Sequence, residues 1–429
     1  MSLAASFYSA LSGLDTNSTA MQVVGDNIAN QNTNGFKGSS VHFEDILGQS
    51  LASVSGNNAT GVGAKVGSVD ANFTQGTLMT TNVDTDLGVN GRGFFILRDT
   101  SSNEQYYSRD GHFHLDNNGY LINTGGNRVQ GFLYNNTGTS MVSTLADIQV
   151  DQSGMVDPKV TTAVNMVLNL DASATVNTFS IANPGGTSEY STALTIYDSL
   201  GKAHVITDYF TKTAAQTWQW NATIDGSDAQ QGGTPGTPGT PVVFGSGTLT
   251  FDGTSGALTS SMPVTFYTGS GGTAITFADG IAASSINLDL TGTTQFGSSS
   301  AIQSVNQDGY AAGTISGISI NTDGTIVGYY TNGQVKNNAQ LILANFANLN
   351  GLVKSGTMLY RSSTRSGDPL YNKPGVGGMG AVSSGALEES NVDLAAEFIK
   401  MIISQRAYQA NSKIISTTDD MLAQLLNVK

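Results

Sequence analysis

Four residues invite a metal reading before anything else: Asp110, His112, His114 and Asp116 alternate along a stretch that reads as a strand, so they project from one face. Carboxylates and imidazoles are zinc ligands, but neighbours on one strand face sit roughly 6.5 to 7 Å apart. Four in a row cannot converge on one ion with bonds of about 2 Å. Phe113 and Leu115 supply the opposite, inward face, which makes the polar series a solvated one. Gly375, Gly377 and Gly380 spell a dinucleotide-type G-x-G-x-x-G, yet Asn372, Lys373 and Pro374 precede it where a strand is required, and no helix follows at once. Trp218 and Trp220 share one strand face and could stack on a sugar, although the same pair more often fills a sandwich core.

No cysteine is present, which removes disulfides, thiol nucleophiles and cysteine metal sites together. His42 and His204 stand alone in sequence, and no G-x-S-x-G, H-E-x-x-H or P-loop occurs. The residues therefore predict neither a catalytic set nor a metal or cofactor. Lys and Arg total 18 against 32 Asp and Glu, a net charge of -14 that argues against nucleic acid or an anionic membrane surface as partner. Only 12% of residues are charged, about half the usual share, so the surface can be buried in an assembly with little charge desolvation.

The elements are set out by two periodicities. From Leu3 to Ile28, apolar residues fall on two series seven apart, Phe7, Leu14, Met21 and Ile28 on one and Leu3, Ala10 and Val24 on the other, with Asn17 in the second. Turn residues from Asn32 to Gly38 end this helix near Asn30. At the other end Leu394, Met401, Tyr408, Ile415 and Leu422 form one series and Phe398 and Leu426 a second, interrupted by Gln405, Ser412 and Asp419. Ser390 or Asn391 is placed to cap that helix, which starts near 391. Helices this short need a partner in water, and each terminus is the nearest candidate for the other, within one subunit or between neighbours.

Between them the period changes to two. Gly111 to Gly131 reads as three strands around turns at Asn118-Gly119 and Gly125-Gly126, and Ile318 to Val335 repeats the plan around Asp323-Gly324 and Asn332-Gly333. A second set of alternating strands, among them Ala193 to Tyr197 and Ala203 to Phe210, lies between these units. The expected fold is mainly β with α-helical coiled-coil termini, discontinuous and multidomain. Residues 1–34 with 391–429 form an inner helical domain, 35–75 a linker, 76–148 with 303–390 a middle β domain and 149–302 an inserted outer β domain. Residues 48–68, rich in Ser, Gly and Asn, read as a mobile connection, and the threefold Gly-Thr-Pro run from Gly233 to Pro241 as an exposed loop tip.

Ser9-Ala-Leu-Ser-Gly-Leu-Asp15, with Asn27-Ile-Ala-Asn30 and Thr33-Asn-Gly-Phe-Lys37, resembles the signature that opens bacterial flagellar rod and hook proteins. Asp86-Leu-Gly-Val-Asn-Gly-Arg-Gly-Phe-Phe95 and Tyr107-Ser-Arg-Asp-Gly-His-Phe113 resemble the family's next blocks, where Arg109, Gly111 and Phe113 match and the histidines do not. Gly385-Ala-Leu-Glu-Glu-Ser-Asn-Val-Asp-Leu394 and Gln405-Arg-Ala-Tyr-Gln-Ala-Asn411 resemble its C-terminal motif. Rod members generally lack a large insert. Asn169-Leu-Asp171, Tyr197-Asp-Ser-Leu-Gly201 and Tyr209-Phe-Thr-Lys212 resemble the insert of the hook members.

The resemblance implies a structural subunit of the hook, a flexible curved tube that passes motor torque to the filament, with self-assembly through the two helices. It marks Asn27, Asn30, Thr33, Gly35, Phe36, Lys37, Gln405, Arg406, Tyr408 and Asn411 as motif positions. It also implies many copies of the chain as partners, together with rod proteins, a hook cap, hook-filament junction proteins and the flagellar type III export apparatus. Met1 to Ala10 shows no basic and apolar leader pattern, so export to the extracellular flagellum without a cleaved signal is expected. The alternatives are a distal rod or other axial component and, in a different class, an extracellular glycan-binding β protein with Trp218 and Trp220 as its platform.

Overall fold

A computed structural model describes residues 3–47, 61–135, 138–150, 155–231, 234–262, 264–266, 275–277 and 285–427. Two long helices, Leu3–Ala29 and Leu394–Asn427, bracket a chain that is otherwise almost wholly β. Among the described residues no helix is long and apolar enough to cross a membrane. The chain divides into two compact units, one of Met1–Ser153, Ser316–Tyr329 and Val335–Lys429, the other of Gly154–Ile315 with Tyr330–Gln334.

In the first unit, the N-terminal helix stops at Ala29 and the chain turns through Gly35, whose φ of 69° lies in the left-handed region. A side chain there would also strike the backbone nitrogen of Asp110, so glycine is required twice over. The stretch expected as a linker contains instead a hairpin of Ser39–Leu47 and Gly61–Ala71, in register from Ser39 with Ala71, lying along the N-terminal helix. Its second strand was hidden because Gly and Ser alternate with Val and Ala and leave little apolar contrast. Of the stretch read as mobile, 61–68 belongs to this strand and 48–60 lies outside the described residues.

The two predicted β units fold as hairpins, with Gly119, Gly126, Gly324 and Gly333 all at positive φ in their turns. They meet in one sheet where Val335–Leu341 pairs antiparallel with Arg128–Tyr134. Phe94–Arg98 runs between Gln105–Ser108 and Arg128–Tyr134, and its Phe94 and Ile96 pack with Tyr107, Ile342, Phe346 and Tyr360 in the core.

The two larger sheets of the second unit share a core. Tyr190–Tyr197, Ala203–Ala214, Thr217–Asp225 and Pro241–Thr250 form an antiparallel sheet in that order. Ala163–Asp171 centres the other, antiparallel to Ala301–Gln307 and parallel to Ile286–Asp289 and Thr294–Phe296. Trp218 and Trp220, both 0% exposed, fill the core with Phe210, Phe244, Met166 and Leu168. Neither indole can meet a sugar, which removes the platform that the glycan-binding alternative needed. His204 is also fully buried, its Nδ1 2.7 Å from Asp228 and its Nε2 3.3 Å from Asp198, with the ring stacked on Phe277.

Candidate assembly site

The two terminal helices pack on each other within the chain. Asn27 Nδ2 donates to Glu397 Oε2 at 3.1 Å, and a Cβ added to Gly13 would lie 2.6 Å from the Asn411 amide nitrogen. Asn27 and Gly13 are fourteen residues apart, as are Glu397 and Asn411, but in the opposite direction, so the helices are antiparallel in one fixed register. The same heptads set Ala20 opposite Ser404 and Ser6 opposite Thr418, of which Ala20, Ser404 and Thr418 are buried. The seam is thus Gly, Ala, Ser, Thr, Asn and one Glu, residues small enough to bring two backbones close together.

Large apolar side chains were expected to make that seam, and they mostly flank it or face away. Ala10 and Val24 are buried, while Phe7, Leu14, Met21 and Ile28 are half-buried along the side of the first helix. On the second, Leu394, Met401 and Ile415 are half-buried, and Tyr408 and Leu422 are 40% and 43% exposed. The second series there is Glu397, Ser404, Asn411 and Thr418, not the line of Phe398. Phe398 is one residue off this line, a rotation of about 100°, and is 49% exposed with Ile399, Ile402 and Ile403 beside it. The side chains of Leu3 and Leu426 lie outside the described residues.

Where the helix pair meets the β sheet, the motif residues converge on one buried carboxylate. Glu388 Oε1 accepts from Lys37 Nζ at 2.6 Å and from the Gly76 backbone at 2.8 Å, and its Oε2 takes Arg109 at 3.2 Å. Lys37 and Glu388 side chains are wholly buried and Arg109 nearly so. Lys37 also donates to Thr74 O at 2.8 Å, and Arg109 to Gly91 O at 2.7 Å. Burial pushes both cations below their usual pKa range, and the Glu388 charge pulls the other way. Two cations around one anion, tied by hydrogen bonds to backbone carbonyls as well, fix the start of the hairpin to the strand before the last helix.

Asparagines extend this joint. Asn27 Nδ2 donates to Ser39 O and its Oδ1 accepts from Ser39 N, both at 2.8 Å, while Asn391 accepts from Gly38 N at 2.9 Å and donates to Asn72 O at 2.8 Å. Because Asn391 is spent here, the C-terminal helix is capped by Asp393, whose Oδ1 takes Ala395 N at 2.9 Å, and begins at Leu394, not near 391. Phe36 is buried under Lys354, Thr33 Oγ1 donates to Asn30, and Asn30 donates to Asp26. Gln405 and Arg406 are exposed and Asn411 is half-buried against Gly13.

The tempting metal residues part company. Asp110 precedes and Asp116 follows a three-residue strand, Phe113–Leu115, so the four share no continuous face. His112 Nδ1 meets Asp86 at 2.8 Å, and Asp116 caps the next turn by accepting from Asn118 N. Gly375 and Gly377 sit at positive φ in a loop that a short strand, Leu370–Asn372, does precede, contrary to expectation, but another strand, Ala381–Ser384, follows where a dinucleotide needs a helix. Sequence reasoning missed Glu388 as the shared partner of Lys37 and Arg109. The signal available was a few charges inside the motif blocks of a chain that is poor in them.

Comparison with known proteins covers every part described above. Family profiles match in order along the chain: "Flagella basal body rod protein" over 7–37, "Flagellar hook protein FlgE/F/G D1 domain" over 88–158, "Flagellar basal body protein FlaE D2 domain" over 169–310 and "Flagellar basal body rod FlgEFG protein C-terminal" over 383–428. The flagellar hook protein FlgE of Salmonella typhimurium is 35% identical over 432 residues, covering 99% of this chain and 100% of that one. That of Escherichia coli K12 is 33% identical over 433 residues with the same coverage, and that of Treponema pallidum 32% over 465 residues, covering 99% of each. The crystal structure of Helicobacter pylori flagellar hook protein FlgE2 shares the fold, with a TM-score of 0.50 at 16% identity over 72% of this chain and 100% of that one. Full-length identity on this scale, with profile matches that take in both helices and both β units, places the chain in the flagellar hook protein FlgE family.

Proposed function

We propose that many copies of this chain polymerise through their terminal helices into the flagellar hook, a curved tube that bends while passing torque to the filament. The observation that carries the reading is the helix pair: it closes on a small polar seam and leaves Phe398, Ile399, Ile402 and Ile403 to solvent. A monomer gains nothing from such a face, and a polymer buries it. The Lys37–Glu388–Arg109 joint would carry load from the helices into the β sheet of the same chain. The role is mechanical, not catalytic.

Residues 1–34 with 391–429 serve as the inner layer of the tube, 76–148 with 303–390 as the middle and 149–302 as an outer domain whose sparsely charged surface slides as the tube bends. By family, the neighbours in the flagellum are rod proteins, a hook cap and hook-filament junction proteins, reached through the type III export apparatus without a cleaved signal. Export of a disordered chain makes ordering of the helices and assembly one event.

Electron microscopy of the purified chain, concentrated with and without short hook fragments as seeds, tests this. Curved flexible tubes are expected; straight rigid ones would make the chain a rod component. Leu14→Asp or Ile415→Asp should abolish tubes and leave the β units folded, and normal tubes from both would refute assembly through the helices. Deletion of 149–302 should change curvature or stiffness.

A further inference from the structure

A groove of about 660 Å³ runs along the N-terminal helix, lined by Tyr8, Leu11, Leu14 and Asp15, with Tyr408 of the C-terminal helix at its edge. Asp15 and Asp26 are the charged residues of the N-terminal helix, and Asp26 is engaged by Asn30. Asp15 is exposed and, among the described residues, its carboxylate has no recorded ion pair or hydrogen bond. The groove therefore offers one free negative charge beside aromatic and aliphatic surface.

Its complement lies on the other helix. Along the outward side of the C-terminal helix, Lys400 is taken by Glu397, and Asp419 and Asp420 lie near its end. Lys413 stands among Gln409, Ser412 and Ser416. Arg406 follows the exposed Ile402 and Ile403, the latter 61% exposed, and has no ion pair among the described residues. A guanidinium can meet a carboxylate and lie on a tyrosine face at once, which a lysine ammonium does less well.

The two charges cannot meet within one chain. Asp15 lies two residues beyond Gly13 of the seam and Arg406 two beyond Ser404, a rotation of about 200° in each case. Each therefore points away from the other helix of its own pair. We infer that the groove receives the C-terminal helix of a second copy, with Arg406 of the partner subunit on Asp15 between the tyrosines and Ile402 and Ile403 of the partner subunit over Tyr8 and Leu11. Two different surfaces of one chain then join head to tail, the geometry that propagates into an open helical polymer in place of a closed dimer. The inference rests on the polymer reading and specifies one contact within it.

Charge exchange tests it. Asp15→Arg, Arg406→Asp and the double exchange are compared with the wild-type chain by the concentration at which tubes sediment, with thermal unfolding as a control for folding. Each single exchange should raise that concentration at least about tenfold by setting like charges together, and the double should return it to within about threefold of wild type. Single variants that polymerise as the wild type does, or a double no better than either single, would overturn the contact. A wild-type chain that forms no tubes refutes the polymer reading itself, and the contact falls with it.

Discussion

The helix pair and the second β unit bury opposite kinds of residue. Trp218, Trp220, Phe210 and Phe244 fill the interior of the β unit, as in any self-sufficient domain. Between the helices lie Gly13, Asn27, Ala20, Ser404 and Asn411, while isoleucines stand outside. The β unit spends its apolar surface on its own core. The helix pair leaves much of its own exposed, so closeness of backbone and a few hydrogen bonds hold the pair.

That contrast can be broken at several points. The largest effect is expected at its two anchors. Trp220→Ala should cost about 3 to 5 kcal/mol in the second unit, read by denaturant unfolding, with little change in the helices. Glu388→Ala should cost about as much in the first unit, because Lys37 and Arg109 would be left buried and unpaired. If either change destabilised both units equally, the two would not be separate in energy.

A nearly equal effect should follow pH in the second unit. Asp208 is buried on the inward face of Ala203–Ala214, and burial raises its pKa from 3.8 to about 7. The folded state therefore holds this proton more tightly than the unfolded one. The stability it gives is full below about pH 4, is lost between about pH 4 and 7, and stays lost above, a total of about 4 kcal/mol at 1.36 kcal/mol per unit. Asp208→Asn should flatten the stability of the second unit over pH 5 to 8; an unchanged slope would place the titration elsewhere.

Smaller effects sharpen the helix side. Asp393→Ala should weaken the C-terminal helix by about 1 kcal/mol through loss of its cap, seen in helix content on heating. Ile403→Ser should shift the unfolding of the free chain by less than about 0.5 kcal/mol and still raise the concentration needed for tubes. A large loss in the free chain would show that Ile403 belongs to the monomer's own packing.

How far this could be read from sequence follows the same division. The hairpins around Asn118-Gly119 and Asp323-Gly324 were legible because turn chemistry and period-two alternation agree. The helices were legible as helices, but the side on which they pair was not. Heptad reading assigns the largest apolar residues to the nearest partner, and here Phe398 and its neighbours stand exposed instead. The strand Gly61–Ala71 lacked apolar contrast, and the joint at Glu388 joins residues too far apart in sequence to announce each other.

That separation, 351 residues between Lys37 and Glu388, gives the chain an order of events. A polypeptide delivered from one end cannot close the first unit until nearly all of it has arrived, since each half of the ion cluster waits for the other. The second unit is almost contiguous, Gly154–Ile315, and needs only a short later return to be complete. Loop-closure entropy favours the local structure first. The second unit can thus close on neighbouring sequence, while the first waits for residues 351 positions apart to meet.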